Sequence, residues 1–346
     1  PAFLWYAQEF VELIVPVAGE ADPYDLERTM EELNKPTQIL AVQNILETLD
    51  APCQEMIEAF IKNEPTMKPN RIISAFPDAR FLVLFSAYTL KARDELFHRF
   101  RWFCPGSAPD VISGRVQEIA IEAGGCPAEG DYSSFDGTVS AWLQINIPNA
   151  IYHRYYSAAH QRELRRFTSM LVTCPAKMKR FGHRYEAGPG IKSGSPTTCD
   201  GNTLINAFLQ YVGVRRTCPE LPPQQALEQI GLCFGDDSLV KPEFASEWKK
   251  ASATLGLSLK VERFDPQAGI TFLARVYPDA VATTTSFQDP LRTLRKMHLT
   301  SRNLTIPLAD AAVDRVEGYL VTDARTPIIR AYCDAVLRHY EKDTTD

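Results

Sequence analysis

The most informative stretch of the chain is residues 232–240, LCFGDDSLV. Two short apolar runs flank a Gly-Asp-Asp sequence, which predicts a tight β-hairpin with adjacent carboxylates at its tip. Because Gly and Asp are also ordinary turn-forming residues, this pattern alone more often marks a structural turn than a functional site. Its meaning depends on two polar motifs that precede it.

The first of these motifs is residues 130–137, GDYSSFDG. A short strand predicted over residues 128–131 places Asp131 at a strand end, and the apolar spacing of Val139, Leu143 and Ile147 predicts a helix after it. Asp136 has an alternative interpretation, because an Asp at this position is also a good helix N-cap.

The second motif is residues 192–202, KSGSPTTCDGN, a loop of small residues that enters a helix. Ser195 followed by Pro196 predicts the helix start. Thr198, Asn202 and Asn206 then fall at i, i+4 and i+8 and form one neutral polar stripe. Such a stripe suits recognition of a hydroxyl group, although a solvated surface stripe is the commoner explanation.

Composition sets limits on the class of protein. The 346 residues are 45% hydrophobic and 23% charged with a net charge of −6, which is typical of a globular protein and excludes a uniformly basic coat. The eight scattered cysteines predict neither a zinc site nor a disulfide framework, and favour a reducing compartment. No apolar run reaches the roughly 18 residues of a membrane span, so we expect no membrane segment here. The absence of an initial Met favours a piece of a larger protein.

Positive charge is concentrated between residues 151 and 192. This segment contains nine Lys or Arg and two Glu, which gives a net charge of +7. Such a segment is often a solvated surface. Further upstream, strands are expected over residues 71–76 and 81–85, with a helix over residues 90–100.

Taken together, the three motifs resemble the viral RNA-dependent RNA polymerases of positive-strand RNA viruses. The order Asp-x-x-x-x-Asp, Ser-Gly-x-x-x-Thr-x-x-x-Asn, Gly-Asp-Asp is similar to that of this family, and KNEP at 62–65 and FLARVY at 272–277 look most like the nodavirus replicases. The resemblance covers about residues 62–277. It implies an α+β right-hand polymerase, with a palm built on a small antiparallel sheet, fingers and a partial thumb.

The resemblance also implies a division of the chain along its length. The expected regions are an N-terminal region with fingers (1–127), palm with the first acidic motif (128–150), a basic fingers insertion (151–192), palm (193–262), and a strand-gripping hairpin with partial thumb (263–346).

The same resemblance implies a two-metal nucleotidyl transfer with Mg²⁺ or Mn²⁺. Asp131 and Asp236 match the family's principal metal ligands, and Asp237 matches the supporting one. Lys260 is the candidate for the general acid that protonates pyrophosphate, with Lys241 as a nearby alternative.

The remaining site residues are implied in the same way. Asp136 and Asn202, with Ser193 and Thr198 beside them, match positions that recognise the ribose 2′-hydroxyl. Three residues match the basic strand that holds the nucleoside triphosphate, and one would contact the growing RNA strand. They are Lys62, Lys68 and Arg71 for the triphosphate, and Arg275 for the strand. The basic segment would line the template channel through phosphate contacts.

Several alternatives stay open at this point. A reverse transcriptase-like DNA polymerase is the nearest enzymatic rival, and a catalytically silent RNA-binding or scaffold subunit of a replication complex is another. A P-loop fails, because Ile191 stands where Gly must precede Lys192. The expected partners are an RNA template and nascent strand, ribonucleoside triphosphates and the rest of a larger replicase. The expected location is the host cytoplasm, at membrane-associated replication complexes reached through regions outside this chain.

Overall fold

A computed structural model describes residues 2–64, 69–300 and 305–343. The chain divides into two compact units. The first contains Pro1–Phe60 and Ile73–Phe264, and the second contains Ile61–Ile72 and Asp265–Asp346.

Helices are the main regular elements of both units. In chain order they are α1 (Ala2–Ile14), α2 (Leu26–Glu32), α3 (Pro36–Gln43), α4 (Ala79–Glu95), α5 (Pro109–Glu122), α6 (Phe135–Thr138), α7 (Ala141–Gln144), α8 (Ala150–Tyr155), α9 (Gln161–Val172), α10 (Thr198–Thr217), α11 (Pro223–Glu228), α12 (Ala245–Thr254), α13 (Pro290–Leu294), α14 (Leu308–Asp323) and α15 (Ile329–Asp343). No helix within the described ranges combines the length and apolar character needed to cross a bilayer.

The strands are short and form three sheets. In chain order they are β1 (Ile57–Ile61), β2 (Ile72–Ala75), β3 (Ala128–Ser133), β4 (Cys174–Met178), β5 (Arg184–Ala187), β6 (Leu232–Phe234), β7 (Asp237–Val240), β8 (Ser258–Arg263), β9 (Ile270–Phe272), β10 (Arg275–Tyr277) and β11 (Phe287–Gln288). The sheet orders are β2-β1-β4-β5, β6-β7-β3-β8 and β11-β10-β9.

The sheet β6-β7-β3-β8 is antiparallel throughout, which confirms the predicted small antiparallel sheet. Side chains along β3 alternate between two environments, as expected for a strand with one covered face. Ala128 and Tyr132 are buried on the covered face, whereas Asp131 is exposed on the other. The sheet therefore presents its acidic residue on the face that is open to ligands.

Helix α12 packs very closely on the covered face. A Cβ at Gly130 would overlap the ring of Trp248, and a Cβ at Gly213 of α10 would lie 2.9 Å from the Trp248 backbone nitrogen. The Trp248 indole N–H donates to the hydroxyl of Tyr132 over 3.0 Å. Two glycines thus allow one large aromatic side chain to join the sheet and two helices.

Helix α10 runs through the core of the first unit, where residues 200–214 are all buried. A helix that is buried on all sides must find partners for its polar side chains within the protein. Asp200, for example, is fully buried and pairs with Arg93 of α4, with 2.8 Å between Arg93 Nη2 and Asp200 Oδ1. The polar residues of α10 therefore have structural partners as well as functional ones.

One predicted strand is wrong. Residues 81–85 were expected to form a strand, but they lie within helix α4. Asp78 precedes the helix and accepts a hydrogen bond from the backbone N–H of Arg80, so an N-cap sets the helix start ahead of the apolar run. A short apolar run cannot by itself distinguish a strand from a buried helix.

The second unit has its own small core, formed by Met297, Val316, Ile329 and Cys333. Its sheet contains a hairpin in which Phe272 pairs with Arg275. The two turn residues, Leu273 and Ala274, both have positive φ values, 50° and 64°. This left-handed conformation is unfavourable for residues with a Cβ, so the turn is held by its surroundings.

Candidate active site

The two predicted acidic segments lie side by side in the central sheet. Strands β3 and β7 pair antiparallel up to Gly130 opposite Ser238, and Asp131 and Asp237 are the next residue on each strand. Neighbouring strands are about 4.8 Å apart, so their carboxylates emerge close together from the same face. Both side chains are exposed.

Asp236 occupies the turn that joins β6 to β7. Phe234 pairs with Asp237, which leaves a two-residue loop of Gly235 and Asp236, and Gly235 has a φ of 61°. Glycine adopts this left-handed conformation without a Cβ clash. The hairpin predicted from the sequence is confirmed, and it brings Asp236 to the same edge as Asp131.

A fourth carboxylate belongs to this face and was missed in the sequence. Glu129 lies two residues before Asp131 and therefore on the same side of β3. Burial raises the pKa of the Glu129 carboxyl, and the negative charges of Asp237 and Asp131 raise it further. The period-two spacing of Glu129 and Asp131 could have revealed it, once residues 128–131 were taken as a strand.

The donor set fits a hard divalent cation. Carboxylates about 5 Å apart repel each other by roughly 3 kcal/mol at an effective dielectric near 20, so a cation would stabilise them. Within the described residues, no group of three or more His, Cys, Asp or Glu side chains is already arranged to hold a metal. Mg²⁺ is usually bound through one or two carboxylates together with substrate phosphates, so a complete protein cage is not required.

Lys260 lies directly opposite Asp131 on the neighbouring strand β8. Its Nζ is 2.5 Å from Glu262 Oε1, and this hydrogen bond, with the charge of Glu262, raises the pKa of the ammonium group. Lys260 is thus an exposed, protonated side chain beside the carboxylates. Its predicted role as general acid stays a prediction.

Three of the four residues predicted to recognise ribose meet at one point. Ser193 Oγ donates to Asp136 Oδ2 over 2.6 Å, and Asn202 Nδ2 donates to Asp136 Oδ1 over 2.8 Å. Asp136 lies inside α6 after the left-handed Ser134, so it is not the N-cap that the alternative interpretation required. Asn202 Oδ1 is buried and has no hydrogen-bond partner. This group could accept a hydrogen bond from a ligand hydroxyl.

Thr198, the fourth of these residues, has a partner in the protein. Its hydroxyl donates to the carbonyl of Lys192 over 2.9 Å. This bond holds the loop that carries Ser193, so Thr198 supports the position of Ser193 in the ribose cluster. A direct contact with ribose stays a prediction.

Lys192 does not line a channel, contrary to its place in the predicted basic segment. It is 3% exposed, and its Nζ donates to the carbonyls of Gly188 and Gly190 over 2.5 and 2.9 Å. Burial lowers the pKa of this ammonium group. The side chain closes the loop that leads into Ser193.

Two expectations for α10 are corrected. The helix begins at Thr198, and its N-cap is Thr197, two residues after the predicted cap at Ser195. Asn206 does not continue the hydroxyl-reading stripe, since it is buried and its Nδ2 donates to the carbonyl of Gly235 over 3.1 Å.

The residues predicted to bind triphosphate belong to the second unit. Lys62 Nζ lies 2.8 Å from Glu64 Oε2, and Arg71 Nη2 lies 3.1 Å from Glu64 Oε1. Lys62 and Arg71 are therefore gathered around one carboxylate, whose pKa is lowered mainly by its hydrogen bond with Lys62. Lys68 lies outside the described residues. The triphosphate role of all three stays a prediction.

Arg275 is engaged within the second unit. Its guanidinium lies 3.0 Å from the fully buried Asp323 and donates to the hydroxyl and carbonyl of Ser286. These contacts join the β9–β11 sheet to helix α14. The predicted RNA contact stays untested, and all three guanidinium nitrogens already have protein partners.

The basic segment is partly internal. Besides Lys192, Arg154 donates to the carbonyl of Val15, and Arg166 and Lys177 form ion pairs of 2.6 and 2.8 Å. Three of its exposed cations lie on helix α9, and three lie at the β4–β5 hairpin beside two exposed aromatic rings. We call this surface the hairpin tip; it consists of Lys179, Arg180, Phe181, Arg184 and Tyr185.

The fold of this chain is also found in a solved viral polymerase. The fold is similar to a crystal structure of the RNA-dependent RNA polymerase of a human picobirnavirus, with a TM-score of 0.67 and 14% identity, covering 96% of this chain and 72% of that one. At this identity the likeness concerns the fold, and it confirms the predicted polymerase architecture.

The sequence comparisons are more specific. A model of the family described as viral RNA-dependent RNA polymerase matches residues 112–299. The chain is 58% identical over 341 residues to the RNA-directed RNA polymerase of Nodamura virus, and 44% identical over 337 residues to that of Flock house virus. The two alignments cover 97% and 96% of this chain, but 32% and 34% of the two viral proteins. The chain therefore spans about a third of the length of these relatives.

The chain therefore belongs to the viral RNA-dependent RNA polymerase family, and its relatives include nodavirus polymerases. The resemblance predicted from the three motifs is confirmed.

Proposed function

We propose that this chain catalyses template-directed RNA synthesis, in which an RNA 3′-hydroxyl attacks the α-phosphorus of a ribonucleoside triphosphate and pyrophosphate leaves. The observation that carries the proposal is the placement of Asp131 beside Asp237 on adjacent strands, next to the turn that holds Asp236. In a member of this family, these carboxylates are the groups best placed for metal-assisted nucleotidyl transfer.

In this proposal Asp131 and Asp236 hold a pair of divalent ions, with Asp237 in support, and the ions are Mg²⁺ or Mn²⁺. When bound, such a pair lowers the pKa of the attacking hydroxyl and stabilises charge on the leaving oxygen. The protein's own contribution is to fix the ligands on a sheet edge, where strand pairing restricts their positions.

Ribose selection is assigned to the cluster of Asp136, Ser193 and Asn202. A 2′-hydroxyl can both donate and accept a hydrogen bond, and the unpartnered Oδ1 of Asn202 offers a buried acceptor. A deoxynucleotide would leave that acceptor unsatisfied. This acceptor favours ribonucleotides and supports an RNA polymerase over a reverse transcriptase-like DNA polymerase.

Several charged groups have separate tasks in the proposal. Lys260, held protonated by Glu262, donates the proton that pyrophosphate needs as it leaves. Lys62, Lys68 and Arg71 neutralise the triphosphate, for which Lys62 and Arg71 must exchange Glu64 for phosphate oxygens. The hairpin tip contacts RNA phosphates and bases without sequence preference. The location proposed for this activity is the host cytoplasm, at membrane-associated replication complexes.

The test is extension of an RNA primer on an RNA template by the 346-residue chain with Mg²⁺ and ribonucleoside triphosphates. We expect extension by the wild type and a loss of at least about a hundredfold in Asp236→Asn and in Asp131→Asn, since each removes a metal ligand. Asp110→Asn, at an exposed helix start, is the matched control and should retain activity.

Two results would contradict the proposal. Extension that persists in both Asp131→Asn and Asp236→Asn would remove the carboxylates from the chemistry. RNA binding without any extension, unchanged in these variants, would favour a scaffold subunit.

A further inference from the structure

The turn that carries Asp236 is held by side chains of another element. The N–H of Gly235 donates to Thr203 Oγ1 over 2.7 Å, and the carbonyl of Gly235 accepts from Asn206 Nδ2 over 3.1 Å. Thr203 and Asn206 both belong to α10 and are both fully buried. We call this pair the turn clamp.

The turn clamp fixes both peptide planes that flank Gly235. The carbonyl of Gly235 belongs to the peptide group that leads directly into Asp236, so its orientation restricts the direction of the Asp236 side chain. A glycine with a φ of 61° has wide conformational freedom, and hydrogen bonds from a rigid helix remove that freedom.

The clamp residues are themselves held in place. The Thr203 hydroxyl donates to the carbonyl of Cys199 over 2.7 Å, so its oxygen faces Gly235 as an acceptor. Gln210 Nε2 donates to Asn206 Oδ1 over 3.4 Å, and Gln210 Oε1 accepts from the N–H of Gly231 over 3.0 Å. Helix α10 therefore binds the hairpin at its tip and at the start of β6.

We infer that Thr203 and Asn206 are positioning residues that set the metal-binding geometry of Asp236. The inference rests on the proposed function, in which Asp236 is a metal ligand. It assigns a role to two residues outside the three acidic and polar motifs. Groups that orient metal ligands typically affect metal affinity by about 10- to 100-fold.

The experiment compares three threonine variants of the 346-residue chain. Thr203→Val keeps the shape but removes the acceptor, and Thr203→Ser keeps the hydroxyl. Thr217→Val is the matched control, because Thr217 is in the same helix and its hydroxyl bonds only to the carbonyl of Gly213. Mn²⁺ affinity is measured by electron paramagnetic resonance on folded protein, alongside kcat and KM for nucleotide.

The expected result is a loss of about tenfold in Mn²⁺ affinity and in kcat for Thr203→Val, with KM for nucleotide within about twofold of wild type. Thr203→Ser should restore both quantities, and Thr217→Val should match the wild type. Asn206→Asp, in which a carboxylate oxygen replaces the amide N–H donor, should behave like Thr203→Val.

A merely structural role gives a different pattern. If Thr203→Val and Asn206→Asp unfold at lower temperature but their folded fractions bind Mn²⁺ as the wild type does, the inference is overturned while the proposed function stands. A wild-type chain that binds no Mn²⁺ and extends no primer would overturn both.

Discussion

Asn202 donates a 2.8 Å hydrogen bond to Asp136 although the two residues are 66 positions apart in the chain. The bond joins helix α10 to the short helix that follows β3. The next residue of α10, Thr203, bonds to the turn that carries Asp236. One buried helix thus contacts both the proposed ribose site and the proposed metal site.

Removal of the Asn202 amide should reduce discrimination against deoxynucleotides. In Asn202→Leu we expect kcat/KM for ribonucleotides to fall by about tenfold, the equivalent of one lost hydrogen bond, with little change for deoxynucleotides. Single-nucleotide incorporation with matched ribo- and deoxyribonucleotide pairs measures the ratio of kcat/KM for the two kinds of nucleotide. Asn146→Ala is the control, since its amide bonds only to the nearby carbonyl of Trp142. An unchanged ratio in Asn202→Leu would contradict the assignment of this cluster to ribose.

Gly130→Ala should destabilise the first unit, because the added methyl would overlap the ring of Trp248. We expect a loss of about 1–3 kcal/mol in the free energy of unfolding, as is usual for overpacking in a core. Gly114→Ala is the control. Gly114 is in helix α5 with nothing within 4 Å of the added atom, so alanine should stabilise the helix by about 0.5–1 kcal/mol. Equal denaturant midpoints for the two variants would show that Trp248 does not pack as described.

His153 should make the protein less stable in mild acid. Burial, with a further contribution from Arg165, lowers the pKa of the imidazole to about 4. Since the unfolded chain has a His pKa near 6.5, it binds more protons than the folded chain between these values. The neutral imidazole therefore contributes its full stabilisation above about pH 6.5, and this contribution is lost as the pH falls toward 4.

Comparison of His153→Gln with the wild type isolates this effect, because other groups titrate in both proteins. The difference between their unfolding free energies should shrink as the pH is lowered from 7.5 to 5. A constant difference over that range would show that His153 is protonated equally in both states.

The hairpin tip should contribute salt-dependent affinity for single-stranded RNA. Each of Arg180→Ala and Arg184→Ala should weaken binding and reduce the slope of log K against log salt by about 0.7. Phe181 is 65% exposed, and Phe181→Ala should cost about 1–3 kcal/mol with no change in that slope, because stacking releases no counterions. Lys249 is an exposed lysine on α12, and Lys249→Ala is the control for the loss of one positive charge elsewhere on the surface. If Lys249→Ala has the same effect as the tip variants, the contact is not localised to the hairpin.

The central sheet and its acidic edge could be predicted because local patterns specify them. Gly235 requires a turn and apolar runs flank it, so the sequence indicates where Asp236 and Asp237 lie. The strand that carries Asp131 was expected to end at that residue, but β3 continues to Ser133. What the sequence could not specify is pairing between strands. The position of Lys260 opposite Asp131 depends on register, which is fixed by burial of Tyr132 and Leu259 on the covered face.

Helix α10 shows why other parts could not be predicted. Periodicity separates buried from exposed faces, but residues 200–214 are buried on all faces, so Thr203 and Asn206 have no pattern that distinguishes them. The protein partners of Lys192 and Arg275 could not be predicted for a related reason. A lysine or arginine in a sequence is expected at the surface, and only the folded structure reveals the carbonyls and the Asp323 carboxylate that bind them.

The most direct test of the central claim is cleavage of the chain by a bound metal. Fe²⁺ with ascorbate and peroxide cuts backbone near its ligands, so Fe²⁺ held by the proposed carboxylates should cut near Asp131 and near Asp236 in the same protein. We predict that both cuts appear together, that excess Mg²⁺ suppresses both, and that Asp236→Asn diminishes both. Cleavage near only one of the two residues, or cuts that Mg²⁺ does not suppress, would contradict the claim that β3 and the Gly235 turn form a single metal site.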